Sequence, residues 1–216
     1  MTKSFHIDGA TVPLERDRPL LIVDADEVLL AFAQGLDRFL AQHGYYLAFA
    51  NYRLHGNVRR RDDASVLNDA EVTALLYEFR ADLDSLEPVE GAVEAIAALR
   101  QSMSIVALSN VSITQAPARL RNFAALGWDF PLLTNSGSKG RAVHTLAKRA
   151  RAACFFVDDT PGHHESVAEY APNVFRIHFV GDVRLKPLMP TSPYAHFRAD
   201  NWGQAHAFIR TRLMAK

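Results

Sequence analysis

Cysteine is nearly absent. Cys154 is the only one in 216 residues, which excludes a disulfide within the chain and a zinc site of four cysteines. Excess charge is absent as well: 24 Lys and Arg balance 24 Asp and Glu, so no electrostatic argument points to nucleic acid or an anionic membrane. No apolar run approaches the ~20 residues of a membrane span, and Met1–Asp8 lacks an apolar stretch of signal-peptide length. There is no internal repeat and no low-complexity tract. A cytoplasmic globular protein without nucleic-acid or membrane partners is therefore expected. At this length a chain buries roughly 70% of its unfolded surface and needs no disulfide or metal to fold. One full domain plus a small second unit fits the length.

What is present is an alternation of short apolar runs and amphipathic helices, the pattern of α/β layering around a mostly parallel sheet. The expected strands are Leu20–Val23, Ser104–Leu108, Phe130–Thr134, Cys154–Val157 and Val174–Val180. Their continuous rather than alternating apolarity fits strands covered on both faces. The intervening helices carry visible punctuation: Pro117 near one start with Gly127 as its stop, Thr160-Pro161 opening another, Asn201 capping the last. Residues 31–86 break the alternation. They hold one helix with Phe32, Leu36, Phe39 and Leu40, and a second opened by the capping-box pair Asn68 and Glu71. Between these helices, residues 45–66 read as irregular. The expected organisation is a core of residues 1–30 and 87–216 with a small helical insertion, 31–86, after the first strand.

The polar residues fall at the ends of the apolar runs. Asp24-Ala25-Asp26 follows the first, Ser109-Asn110 the second, and Asp158-Asp159 the fourth. Ligands of open α/β sheets bind outside the carboxyl ends of the strands, so these groups are expected to meet in one crevice. Several carboxylates together repel unless a cation lies among them, and oxygen-only ligands favour magnesium over zinc. Ser109-Asn110 offers a hydroxyl and backbone amides to a phosphate oxygen. Lys139 sits at the mouth of a helix, where the dipole disfavours a cation, which suggests an anion nearby. Each motif alone also reads as ordinary cap or loop chemistry, and their joint occurrence is what carries weight.

Asp-x-Asp, Ser, Lys and Asp-Asp, in that order, resemble the haloacid dehalogenase-like (HAD) hydrolase superfamily over nearly the whole chain. Leu21–Leu29 is similar to its first motif, Ile105–Asn110 to its second, Lys139 to its third and Phe155–Asp159 to its fourth. The resemblance implies a Rossmann-like core with a helical cap and a magnesium-dependent phosphatase acting on a small phosphorylated metabolite. Asp24 would attack phosphorus to give an aspartyl-phosphate, and Asp26 would protonate the leaving oxygen and then activate water. Ser109, Asn110 and Lys139 would hold the phosphate. Magnesium would be held by Asp24, the Asp26 carbonyl and Asp159, with Asp158 acting directly or through water. Dehalogenases of the family lack an acid at the position of Asp26, so phosphatase chemistry is favoured. A phosphomutase, or a catalytically weak protein that binds a phospho-ligand or a partner, are the alternatives. Bacterial receiver domains are shorter and place their paired acids first. Two residues depart from the family pattern: Glu27 where glycine is frequent, and Gly140 where proline often follows the lysine.

Glu27, Arg53 and Arg59 are candidates for substrate choice, Glu27 beside the entrance and the arginines as a clamp for a second anion. Arg59-Arg60-Arg61 reads equally as a solvated stretch balanced by Asp62-Asp63. His163-His164 reads as an exposed first helical turn, and Cys154 as an inert core residue.

Overall fold

The computed structural model describes residues 5–81 and 83–215. The elements run β1 (Phe5–His6), β2 (Leu20–Val23), α1 (Phe32–Gln42), β3 (Tyr45–Leu47), β4 (Val58–Arg60), α2 (Asp69–Phe79), α3 (Ala92–Leu99) and β5 (Ser104–Ser109). They continue α4 (Ala116–Ala125), β6 (Leu132–Thr134), α5 (Gly140–Ala150), β7 (Cys154–Asp158), α6 (Pro161–Tyr170), β8 (Phe175–Phe179), β9 (Phe197–Ala199) and α7 (Trp202–Met214).

Seven strands form one sheet in the order β1-β6-β5-β2-β7-β8-β9, and every pairing in it is parallel. Alternate residues of the central strands enter two different cores. Leu21, Val23, Ile105, Ala107, Phe155 and Val157 pack with residues of α3, α4 and α7. Leu20, Ile22, Val106, Leu108, Cys154 and Phe156 pack with Val143 and Leu146 of α5 and Val167 of α6. With both faces of β2, β5 and β7 covered, their interior positions are apolar and polarity appears at the strand ends, which is why these runs are continuous.

The five expected strands are present. β6 starts only at Leu132, after Pro131, and β8 at Phe175. Two edge strands, β1 and β9, are additional. The tract 45–66 is not wholly irregular: β3 and β4 pair antiparallel, Tyr45 opposite Arg60 and Leu47 opposite Val58. The insertion after β2 thus carries a hairpin between its two helices. Its apolar residues, among them Leu36, Leu40, Val72, Leu76 and Phe79, belong to the same cluster as one face of the sheet.

The helix signals act as expected, with one exception. Asn68 and Glu71 form the reciprocal capping box of α2, and Asn201 accepts from the Gln204 backbone N–H at the start of α7. Gly127, after α4, has φ 73°. The Thr160 hydroxyl makes no cap bond to α6 and instead lies 3.3 Å from Asp159 Oδ1. Among the described residues, no helix is long and apolar enough to cross a membrane.

Candidate active site

β2 lies between β5 and β7, with Val23 opposite Ala107 on one side and Val157 on the other. The residues ending these three strands are therefore neighbours: Asp24 after β2, Ser109 closing β5 and Asp158 closing β7. Lys139, just before α5, inserts its ammonium between two of them. Its Nζ is 2.7 Å from Asp24 Oδ1 and 2.8 Å from Asp158 Oδ2. Asp24, Asp158 and Asp159 each offer an oxygen, all within 4.8 Å of one another.

One ammonium faces three carboxyls, Asp24 and Asp158 buried and Asp159 half-buried, and the electrostatics show the deficit. Burial pushes Asp24 up to about 7, opposed by Lys139 and assisted by Asp158 and Asp26. Burial also drives Asp159 well above the usual carboxylate range, with Asp158 and Asp24 adding to the rise. At Asp158 burial acts in the same direction, but Lys139 outweighs it and the carboxyl stays low. Burial disfavours the Lys139 ammonium, yet Asp158 and Asp24 hold it charged. Both oxygens of Asp158 are engaged, Oδ2 by Lys139 and Oδ1 by the Thr160 backbone N–H at 2.9 Å. Among the described residues, no Lys, Arg or His forms an ion pair with Asp159. An oxygen-only set short of positive charge is what a hard divalent cation such as magnesium fits.

Residues around this cluster hold it in place. His164 Nε2 lies 2.9 Å from the Asp158 carbonyl and His178 Nε2 3.0 Å from the Asp159 carbonyl. A carbonyl only accepts, so both Nε2 atoms carry the proton. His178 Nδ1 in turn accepts from the Ser192 backbone N–H. His164 is fully buried, unlike the exposed helical turn expected for it, whereas His163 lines the cavity. Gly140 has a packing reason: a Cβ there would sit 2.3 Å from the Ser166 carbonyl oxygen, and its N–H donates to Ser166 Oγ at 2.8 Å. Proline would lose that bond as well as clash. The Asn110 side chain ties the Lys139 loop to β5 through Gly137 and Asn135. Ser109 is buried, its Oγ accepting from the Val111 backbone N–H at 3.2 Å.

Asp24, Asp26, Glu27, Ser109, Asn110, Lys139 and Asp159 line a cavity of about 510 Å³. The Asp26 carboxylate is paired with Arg119, whose Nη2 lies 2.5 Å from Oδ1. Glu27 has φ 60°, the left-handed conformation that suits glycine, and its carboxylate accepts from the Ala33 backbone N–H in the first turn of α1. Ala31, at the N-cap position, has no side chain able to do so. Burial pushes Glu27 up to about 7, against that hydrogen bond. Arg53 and Arg59 are not among the cavity-lining residues. The Arg59 guanidinium donates to the Ala64 carbonyl. The arginine from the insertion that does line the cavity is Arg80.

Arg119, His178 and Arg80 escaped the sequence reading. A signal existed for the first: Ala116, Arg119 and Phe123 share one buried helical stripe on α4, and an arginine at such a position demands a partner.

No family model matches the sequence, and no curated protein matches it. Solved structures do match in fold. A haloacid dehalogenase-like family hydrolase from Streptococcus pneumoniae aligns over 89% of this chain and 98% of its own, with TM-score 0.58 and 10% identity. YfnB from Bacillus subtilis, assigned as a HAD-hydrolase and crystallised bound to magnesium, aligns over 90% and 99%, with TM-score 0.58 and 13% identity. The defluorinating L-2-haloacid dehalogenase Rha0230 aligns over 95% and 99%, with TM-score 0.57 and 14% identity. The chain has the fold of the HAD-like hydrolases: an α/β core with a small insertion after β2.

Proposed function

We propose that this protein is a magnesium-dependent phosphatase of a small phosphorylated metabolite, working through an aspartyl-phosphate on Asp24. The observation that carries this reading is the Lys139 ammonium held between Asp24 and Asp158 at the floor of the cavity, beside an Asp159 carboxyl without a cation partner. Residues 31–86 act as a cap over a core of 1–30 and 87–216. The structural likeness alone does not choose between hydrolysis of phosphate esters and dehalogenation. The acid at Asp26 supports ester hydrolysis, because an alkoxide leaving group needs a proton and a halide does not.

In this reading an Asp24 carboxylate oxygen attacks phosphorus and the ester P–O bond breaks. Asp26, which is paired with Arg119 at rest and has to carry a proton at this step, gives that proton to the departing alkoxide. Asp26, now a carboxylate, takes a proton from the water that attacks the phosphorus of the acyl phosphate, and Asp24 is released with inorganic phosphate. Ser109, Asn110 and Lys139 hold the transferring oxygens, the lysine as a fixed positive charge. Magnesium would be held by Asp24, the Asp26 carbonyl and Asp159, and when bound it offsets the repulsion between a carboxylate and a phosphate dianion. Asp158, with both oxygens engaged by Lys139 and the Thr160 backbone N–H, positions Lys139 and would support the metal directly or through water.

The test is phosphate release from a panel of phosphorylated metabolites, with and without magnesium, by wild type and Asp24→Asn. Magnesium-dependent release that the substitution abolishes is the expected result. Equal release by the two proteins would overturn the assignment of Asp24.

A further inference from the structure

The cavity has two chemically different ends. The aspartates, Ser109, Asn110 and Lys139 form one. The other is built by the insertion, which contributes Phe32, Ala33, Phe49, Tyr52, Leu54, Arg80 and Leu83, with Leu185 from the loop after β8. Tyr52 is 52% exposed, while Phe49 and Leu54 are half-buried, so apolar surface faces the cavity uncovered. This wall is held in shape. The buried Asn57 side chain donates to the Asn51 and Arg53 carbonyls and accepts from the Ala50 backbone N–H, pinning the loop that bears Phe49, Tyr52 and Leu54. Arg184 stacks over Phe49 at 5.0 Å from the ring centre and pairs with Asp37 of α1, which ties the wall to the loop after β8. Side-chain hydrogen bonding from the insertion's share of the lining comes only from the Tyr52 hydroxyl and Arg80.

Among the described residues, Arg80 is the one full cation that the insertion brings to the cavity. It rests over the Phe32 ring at 5.8 Å, its carbonyl accepts from Gln115 Nε2 of the core, and it has no carboxylate partner among the described residues. Lys139, by contrast, is already committed to two aspartates.

We infer that the substrate is a phosphomonoester of an apolar or aromatic alcohol that carries a carboxylate, its apolar body against Phe49, Tyr52 and Leu54 and its carboxylate at Arg80. This rests on the phosphatase reading and gives it a substrate class. A polyol phosphate fits the insertion's wall poorly, because its hydroxyls would leave water for few free partners: Ser112 and Gln115 of the core also line the cavity, but they are bonded to each other and to the Arg80 carbonyl. An apolar body gains from the same transfer.

The test compares benzyl phosphate, 4-carboxybenzyl phosphate and glucose 6-phosphate with magnesium present. All three are esters of primary alcohols, so leaving-group chemistry does not set the order. Expected is a kcat/KM for benzyl phosphate at least about tenfold above glucose 6-phosphate, and a further rise of about tenfold for the carboxy compound. Tyr52→Ala and Leu54→Ala raise KM for both benzyl esters. Arg80→Ala lowers turnover of the carboxy compound more than that of the plain one. Glucose 6-phosphate at or above benzyl phosphate, or a carboxylate advantage that survives Arg80→Ala, would overturn the substrate class and leave the phosphatase reading intact. Release from none of the three would overturn this substrate class, and the metabolite panel with Asp24→Asn then decides the phosphatase reading separately. Calorimetry with magnesium, benzylphosphonate and methylphosphonate then decides the pocket: about tenfold tighter benzylphosphonate binding supports it, and equal binding sinks it.

Discussion

Arg119 Nη2 lies 2.5 Å from Asp26 Oδ1, and the arginine is completely buried while the aspartate side chain keeps 36% of its exposure. Two further guanidinium nitrogens, Nε and Nη1, have no hydrogen-bond partner among the described residues. Carrying a buried arginine with only one satisfied direction is costly, and here the direction satisfied is the carboxylate read as the general acid and base. The pair aims Asp26 from beneath, through α4, without Arg119 itself lining the cavity. Arg119→Met is expected to lower kcat by about tenfold to a hundredfold, a fraction of what general acid–base catalysis supplies. A purely structural role predicts additivity with Asp26→Asn. A positioning role predicts that Arg119→Met adds little once Asp26 is already amide. Measuring kcat through that cycle separates the two.

A second expectation concerns Gly140. Because its Cβ position lies 2.3 Å from a backbone oxygen of α6, Gly140→Ala forces α5 away from α6 and carries Lys139 with it. A loss of about 1–3 kcal/mol is expected in urea unfolding, together with reduced turnover because the ammonium no longer bridges Asp24 and Asp158. Wild-type stability and activity in this variant would show that α6 tolerates the shift and that Gly140 has no role in placing Lys139.

These sites differ in how far they could be read from the chain. Asp24, Ser109 and Asp158 were visible because each interrupts an apolar run, and a strand buried on both faces tolerates polarity only at its end. The expected convergence of these groups followed from the rule that ligands of a parallel α/β sheet bind outside its carboxyl strand ends, whereas the strand order is a finding of the structure. β1 and β9 were not legible: two or three residues at a sheet edge leave no periodicity to detect. Nor was the β3–β4 hairpin, whose Val58-Arg59-Arg60 reads as charge rather than strand. The Asp26–Arg119 pair spans 93 residues, and no local pattern encodes such a contact. Glu27 was noticed as a departure from glycine and as a residue beside the entrance. Its use, capping α1 from outside the helix, depends on a left-handed backbone that composition does not reveal.

Acid should act on His164 in a definite direction. Burial, opposed by the Asp158 charge and carbonyl, pushes its pKa down to about 4 from an unfolded value near 6.5. Between those two values the unfolded chain binds the proton and the folded chain does not, so this stabilisation is complete above about pH 6.5 and is lost as pH falls towards 4. The shift corresponds to about 3 kcal/mol. Asp24, Glu27 and Asp159, with raised values, act in the opposite sense, so the wild-type curve alone is ambiguous. The useful quantity is the stability difference between wild type and His164→Gln in chelator, which should shrink by about 3 kcal/mol from pH 7 to 4. A difference independent of pH would mean that His164 is protonated in the fold.

Magnesium binding can be separated from catalysis by asking what it does to unfolding. A cation that binds only the folded chain stabilises it by about 2.7 kcal/mol at a hundred times its dissociation constant. Here the gain has a specific source, since the cluster of Asp24, Asp158 and Asp159 holds more carboxyls than Lys139 can neutralise. Asp159 is the one without a cation partner, so Asp159→Asn is expected to remove most of the magnesium-dependent rise in Tm. The same change should raise the metal-free Tm, because an amide in that place relieves the repulsion from Asp24 and Asp158 without requiring protonation. Asp158→Asn should behave differently and lower the metal-free Tm, since Lys139 would lose one of its two carboxylates while remaining buried. Thermal melts of the three proteins, with magnesium and with chelator, test both signs at once. If Asp159→Asn kept the full magnesium-dependent rise, the metal would not be bound at this cluster, and the reading of Asp24 as a nucleophile assisted by a neighbouring cation would fall with it.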